Sequence, residues 1–549
     1  MIRFCQGLIY LLLFVCIFQL AAADQNPEFT EKYWIFFTDK PTDSSIEIGQ
    51  RSLDRRTRMK IDTSPTFYDI PVNPDYINQI INLNIRILRV SKWLNAVSVR
   101  VSPNELNNIR NLQFVNNILP VSSYSRPREL EKEYLEPPMS SKVTAEDYGL
   151  SASQVEMIGI DQLHDLEVFG NGLFIGIMDT GFDTSHVAFE RMISEGRLID
   201  TYDFLNNQPD VMGENNNQRN HGTQVLSVIG GYDPGNIIGT AYGADYAIAK
   251  TDSLYMETMA EEDNWVAAAE WMEGLGVDII SSALGYIDWY DTTQLDGQTA
   301  VITQAANAAV ELGVIVVNSA GNERLYPWGK IVPPADGDSV IAVGGVSPSG
   351  EINSFSSRGP TADGRIKPDF CAQGSSVRVA NMGGGYGYTQ GTSYSAPLIA
   401  GGIALLLEAD NSLSLSDILT RLKESANYYS APNNDYGWGI PNFYDALSYL
   451  PGGYVGTINS IKIAPQPAVD EVNILIDSNY RSIGALSIYN TAGDEIWSQD
   501  ILVDSVSTNR LVWRGYNQRS EKVVSGIYIA AFDIDGKIIT EKFVYIRED

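Results

Sequence analysis

Leu173-Phe174-Ile175-Gly176-Ile177-Met178-Asp179-Thr180-Gly181 decides the fold. The run 173–178 shows no polar alternation, as a strand covered on both faces requires. Such a strand belongs in a parallel sheet with helices above and below. Neighbouring sequence repeats the pattern. Residues 265–275 have helical spacing and lead into a strand at 277–281, and 305–312 lead likewise into 314–318. Alternating β and α segments imply right-handed crossovers. The expected fold of 148–450 is therefore α/β, a parallel sheet with helices on both faces.

The flanking regions read differently. Residues 24–125 suit a small α+β unit, with strands expected at 33–38, 85–90, 93–101 and 114–121. Ser102-Pro103-Asn104-Glu105 is a capping-box pattern with Pro at the first helical position, and Leu106, Ile109 and Leu112 follow on one face. Residues 126–147, with Arg126-Pro127-Arg128, a charged run and Pro137-Pro138, make a poor core and a good linker open to cleavage. From 451 to 549 the pattern is all-β, with strands at 472–476, 485–489, 511–513, 527–534 and 537–539. Asp535-Gly536 is a hairpin signal between the last two, and a β-sandwich is expected.

Residues 1–23 have the form of a secretory signal: Arg3, an apolar stretch, then Ala21-Ala22-Ala23. Cys5 and Cys16 would leave with it, so Cys371 alone remains and no internal disulfide can form. An exported chain without disulfides relies on its core or on bound ions. At 549 residues two to four domains are expected, and a net charge of -30 excludes nucleic acid and anionic membranes as natural partners.

Four short motifs carry chemistry. Asp179-Thr180-Gly181 places a carboxylate at a strand end, where α/β folds put functional groups. Asn220-His221-Gly222-Thr223 opens a helix, and Gly222 clears room beside the imidazole. Gly391-Thr392-Ser393-Tyr394-Ser395-Ala396-Pro397 puts a hydroxyl at the start of a buried helix, where the dipole favours a developing oxyanion. Ser319-Ala320-Gly321-Asn322 offers a side-chain amide after a strand. Singly, each has a plain structural reading: a turn residue, a core histidine, an N-cap serine. Of the three histidines, His164 and His186 read as structural, and Cys371 as a buried small hydrophobe.

Taken in order, Asp, then His, then Ser is the triad order of subtilisins. Phe355-Ser356-Ser357-Arg358-Gly359-Pro360, Ile366-Lys367-Pro368-Asp369, Val340-Ile341-Ala342-Val343-Gly344 and Tyr436-Gly437-Trp438-Gly439 also match. Over about 300 residues the chain resembles the subtilisin-like serine proteases, peptidase family S8. The resemblance implies Ser393 as nucleophile, His221 as general base, Asp179 as its orienter and Asn322 as oxyanion donor. It implies that the backbone of Ala283-Leu284-Gly285, with Ala320 and Gly321, lines the substrate cleft. Ala283 stands where relatives usually carry Ser, and Tyr394 where many carry Met. The segment 324–334, with Tyr326 and Trp328, is expected to border the pocket for the side chain preceding the cut.

Residues 24–125 resemble the propeptide of these proteases, which implies an intramolecular inhibitor and folding aid; an unrelated small domain is the alternative. Protein or peptide substrates are implied, with no cofactor for the chemistry and structural calcium as an option. Pro465-Gln466-Pro467, Ile488-Tyr489-Asn490 with Gly493, and Ser525-Gly526-Ile527-Tyr528 resemble type IX sorting domains and FlgD-type Ig-like modules of secreted bacterial proteins. Secretion machinery is therefore an implied partner, against a merely stabilising or binding module. The implied whole is a secreted, self-processed serine endopeptidase whose activity falls as His221 protonates, near a reference value of about 6.5. A peptide-binding pseudoprotease, an esterase using the same triad, and an adhesion protein are the competing classes.

Overall fold

A computed structural model describes residues 30–42, 46–121, 147–212, 216–253, 259–448, 458–478, 482–503, 509–534 and 537–547. The signal-like stretch 1–23, nearly all of the linker 126–147 and the Asp535-Gly536 turn lie outside these residues.

The N-terminal unit runs β1 (Glu31–Phe37), α1 (Gln50–Arg58), α2 (Pro74–Asn82), β2 (Ile87–Ser91), β3 (Ala96–Val101), α3 (Pro103–Arg110) and β4 (Val115–Val121). Its four strands form an antiparallel sheet in the order β2-β3-β1-β4. The capping box at Ser102 and Glu105 forms, and Leu106 and Ile109 are buried. Sequence periodicity missed α1 and α2. The first is rich in arginine and shows no conventional apolar stripe, because its inward face is charged.

The central unit contributes β5 (Phe174–Asp179), β6 (Leu198–Asp203), α4 (Asn216–Gly230), β7 (Asp245–Lys250), α5 (Met259–Leu275), β8 (Ile279–Ser282), α6 (Val301–Glu311), β9 (Ile315–Ser319), β10 (Ile341–Val346), β11 (Phe370–Gln373), β12 (Val377–Asn381), β13 (Gly385–Thr389) and α7 (Thr392–Ala409). Seven strands form one sheet, β11-β10-β9-β8-β5-β7-β6, and every pairing is parallel. Every residue of β5 is buried, as its unbroken apolar run demands. On one face α7 is almost wholly buried with α4 in the larger core; on the other, α5 and α6 form a second core. The apolar length of α7 is thus that of a core helix. The α/β fold class expected from sequence is the one observed.

The C-terminal unit has β14 (Ile458–Ala464), β15 (Ala468–Val469), β16 (Val472–Ser478), β17 (Ser482–Asn490), β18 (Glu495–Val503), β19 (Asn509–Trp513), β20 (Gly526–Ile534) and β21 (Lys537–Ile546). They form a three-stranded sheet, β14-β16-β19, and a five-stranded sheet, β15-β21-β20-β17-β18. Inward residues of both share one core around Trp513, Phe532 and Tyr545. Gln466 hydrogen-bonds Lys542 O and Val544 N, so its side chain continues the edge of β21.

Helix α1 docks beneath the N-terminal ends of β5, β8 and β9. Arg55, fully buried, donates to Val277 O (2.8 Å), Leu312 O (3.2 Å) and Glu273 Oε1 (2.7 Å). Leu312 closes α6 and Val277 lies just past α5, so one guanidinium caps two helix C-termini, where the dipole favours a cation. Arg56 pairs with Asp69 (2.6 Å), and Arg58 with Asp278. Glu270 of α5 accepts hydrogen bonds from Ser91 Oγ (2.5 Å), Lys92 N (3.1 Å) and Trp93 N (3.1 Å). Lys32 of β1 is buried against Asp263; burial pushes this carboxyl up and this amine down, each toward its neutral form.

Arg55→Ala leaves Glu273 buried without that partner and uncaps both helices. A loss of about 3–5 kcal/mol in unfolding free energy is expected from urea titration of the full chain, with exposed Arg110→Ala unchanged. His164 supplies a pH test. It is buried between Tyr148 Oη (2.6 Å) and Thr240 O (3.0 Å), and burial lowers its pKa from 6.5 to about 4. The unfolded chain therefore binds the proton first, and the contribution present above pH 6.5 is lost as pH falls toward 4. Melting temperature should drop across that window by the equivalent of roughly 3 kcal/mol, and His164→Gln should flatten the slope.

Candidate active site

The C-terminal ends of three adjacent strands, β9, β8 and β5, carry three of the segments singled out in the sequence. Asp179 is the last residue of β5, Ala283-Leu284-Gly285 follow β8, and Ala320-Gly321-Asn322 follow β9. A parallel sheet concentrates functional groups at this edge because every loop there leaves in the same direction.

Asp179 is fully buried. Its Oδ1 accepts hydrogen bonds from Thr180 N (2.7 Å) and Thr180 Oγ1 (3.1 Å), and lies 2.7 Å from His221 Nδ1. That contact assigns the proton to Nδ1 and leaves Nε2 as the basic nitrogen. His221 is 18% exposed. It does not open its helix, as the sequence pattern suggests, but follows Asn216, the first residue of α4. The role read for Gly222 also needs correction. A Cβ there would collide with Gly181 O and come within 3.1 Å of Asp179 Cβ. Gly222 lets α4 approach the strand end, which brings the imidazole onto the carboxylate.

Ser393 is 5% exposed and lies in the first turn of α7. Its chain neighbours join it to the other candidates. Thr392 N and Thr392 Oγ1 donate to Asn322 Oδ1 (3.0 and 3.1 Å), and Gly321 N donates to Thr392 Oγ1 (3.1 Å). With its oxygen so engaged, the Asn322 carboxamide has its nitrogen facing the opposite way. On the other side, the Tyr394 ring lies 5.7 Å from that of His221. Ser393 thus sits between a residue bound to Asn322 and a residue packed on His221.

The two backbone segments expected to line the cleft meet around Val332. A Cβ on Gly285 would collide with Val332 Cγ2, and one on Gly321 would come within 2.7 Å of Val332 Cγ1. Leu284 O accepts from Asn318 Nδ2 (3.0 Å), Val332 N donates to Ala320 O (3.1 Å), and Ser357 N donates to Gly321 O (2.9 Å). Gly285 takes part in no hydrogen bond among the described residues. In the 324–334 segment, Arg324 pairs with Asp435 (2.7 Å) and Trp328 Nε1 donates to Ile331 O (2.8 Å), which fix the loop.

The other histidines are engaged elsewhere. His186 accepts from Ala188 N (3.1 Å) and its Nε2 contacts Gly385 O (3.0 Å). Cys371 is buried and its thiol is pushed up by burial, the opposite of an activated nucleophile. Among the described residues no group of three or more His, Cys, Asp or Glu side chains is arranged to hold a metal ion. Sequence reasoning missed Thr392 and Gln224. The first lay inside a quoted motif; the second, buried beside Tyr394, carried no signal beyond its position one turn after His221.

Fold and site together define an α/β protein with Asp179 bound to His221 at the edge of a parallel sheet and Ser393 next in sequence to the ring packed on that imidazole. The family model described as the subtilase family matches residues 170–439, and that described as the peptidase S8 propeptide domain of Bacteroidota matches 32–134. Bacillopeptidase F of Bacillus subtilis is 30% identical over 325 residues, which cover 54% of this chain and 22% of that protein. Subtilisin E of the same species is 28% identical over 320 residues, covering 57% of this chain and 76% of the relative. The crystal structure of an epidermin leader peptide processing serine protease from Staphylococcus aureus superposes with a TM-score of 0.53 at 16% identity. It covers 77% of this chain and all of the other. The chain belongs to the subtilase family of serine endopeptidases and carries an S8 propeptide domain.

The close approach at Gly222 is open to test. Gly222→Ala should push α4 off the strand end, lower stability by about 1–3 kcal/mol, and weaken the downfield proton resonance of the Asp179–His221 hydrogen bond. Both are read by thermal unfolding and one-dimensional proton NMR.

Proposed function

We propose that the chain is a secreted serine endopeptidase, made as a zymogen that cuts itself, with Asp179, His221 and Ser393 as triad and Asn322 as oxyanion donor. The observation that carries the reading is the 2.7 Å contact of Asp179 with His221 Nδ1, together with Ser393 held between Thr392 on Asn322 and Tyr394 on His221. The nucleophile attacks the scissile carbonyl as His221 Nε2 takes its proton, and the imidazolium then protonates the leaving amine. Asp179 stabilises that cation without accepting its proton. The tetrahedral oxyanion is stabilised by the Asn322 amide and by N–H groups at the start of α7, where the helix dipole adds to the attraction.

The substrate is an extended peptide. It adds as a strand beside Ala283-Leu284-Gly285, with Ala320 and Gly321 opposite, through backbone hydrogen bonds that tolerate Ala283. This favours peptides over simple esters. Residues 1–23 direct export, 24–125 form the propeptide, 126–147 the processed linker, 148–450 the peptidase, and 451–549 a module for the secretion machinery. The propeptide is an intramolecular inhibitor, and its buried arginine anchor supports its staying docked on the peptidase. The chemistry requires no cofactor. Structural calcium would need backbone carbonyls as main ligands, since the described acidic side chains form no metal cluster.

The test compares wild type with Ser393→Ala by intact mass, each treated with a fluorophosphonate. Wild type should lose roughly 125–147 residues, the span set by a cut in the linker, and take the probe at Ser393. The variant should stay full length and unlabelled. Two full-length, unlabelled proteins would turn the reading to a peptide-binding protein.

A further inference from the structure

The geometry points to Tyr394 and Gln224 as a positioning pair: their hydrogen bond is the strut that sets the distance between nucleophile and base. The inference rests on the triad assigned above. Tyr394 adjoins Ser393 on α7, and Gln224 lies one turn after His221 on α4. The phenol donates to Gln224 Oε1 at 2.7 Å. Each residue flanking the bond is therefore bonded in sequence, or through one helical turn, to a reacting group.

Three observations make this a strut rather than incidental packing. Both side chains are buried, Tyr394 at 1% exposure and Gln224 at 8%, so water does not compete for the bond. Gln224 is itself fixed, since its Nε2 donates to Asn381 Oδ1 (2.8 Å) at the end of β12. The same turn of α4 has a second tie to that hairpin, because Met382 N donates to Asn220 Oδ1 (2.9 Å). The phenol thus ends on an anchored amide, and its ring lies against the imidazole. Serine is activated only with its base at about 2.6–3.2 Å, and a displacement near 1 Å costs about a hundredfold in rate. A bond spanning the two helices at this level controls that distance directly.

The test uses full-length chain allowed to process itself, with Tyr394→Phe, Gln224→Met and the double variant. The phenylalanine keeps the ring on His221 and removes only the hydroxyl; the methionine keeps volume and removes the acceptor. Each single change should lower kcat on a peptide substrate about tenfold, the value of one well-made buried hydrogen bond, with KM unchanged. Fluorophosphonate labelling should slow in parallel, and melting temperature should stay within a few degrees of wild type. The double variant should be no slower than either single one, since both remove the same bond. Wild-type kcat in both single variants, or losses that multiply in the double variant, would overturn the inference while leaving the peptidase reading intact. A wild type that neither labels nor cleaves would overturn both.

Discussion

The site depends on one close approach. Helix α4 lies so near the end of β5 that residue 222 cannot carry a Cβ without striking Gly181 O. The 2.7 Å contact between Asp179 and His221 follows from it. The imidazole reaches a carboxylate that is already buried and already bonded to Thr180, so the pair forms without rearrangement. Backbone contact at this point leaves little room for adjustment, because backbone cannot rotate away as a side chain can. A site for charge separation gains from such rigidity: its dipoles need no reorganisation when charge develops.

The second constraint acts at the opposite end of the sheet. Asp179 and the candidate segments 283–285 and 320–322 lie at the C-terminal ends of β5, β8 and β9, while Arg55 and Arg58 of the propeptide domain reach groups near the N-terminal ends of the same strands. The contact is electrostatic on a chain with net charge -30, so attraction between a basic helix and an acidic enzyme surface assists the docking. Arg55 on α1 caps two helix ends and pairs with Glu273, and Lys92 gives that carboxylate a second partner from the same unit. Among the described residues the one cysteine, Cys371, is free, so the central unit rests on the two cores flanking the sheet.

Much of this was legible in sequence, for identifiable reasons. The run 173–178 is apolar throughout because both faces of its strand are covered, and the capping box at Ser102 specifies a local geometry with no help from the rest of the chain. Helix α1 was not legible, because its inward residues are arginines, and hydrophobic periodicity is blind to a buried charged face. The helix bearing His221 begins earlier than its motif suggests, since polar residues there give no apolar signal. Within the candidate site the principal residue types stood out, but their supports did not. Nothing in the residues near Thr392 or Gln224 reveals that one orients an amide and the other receives a phenol; those roles exist only where two elements meet.

Tyrosine at 394 shows how such supports constrain a site. Relatives with a thioether at this position have a side chain that adapts to its surroundings and makes no directional bond. A phenol buried here must find an acceptor or leave a polar group unsatisfied, at a cost of about 1–3 kcal/mol. Gln224 is that acceptor, and its own amide must in turn be satisfied, which Asn381 does. The residue beside Ser393 therefore draws partners from a second helix and a hairpin. What began as the requirement to pair a hydroxyl becomes a rigid connection between the helices that carry serine and histidine.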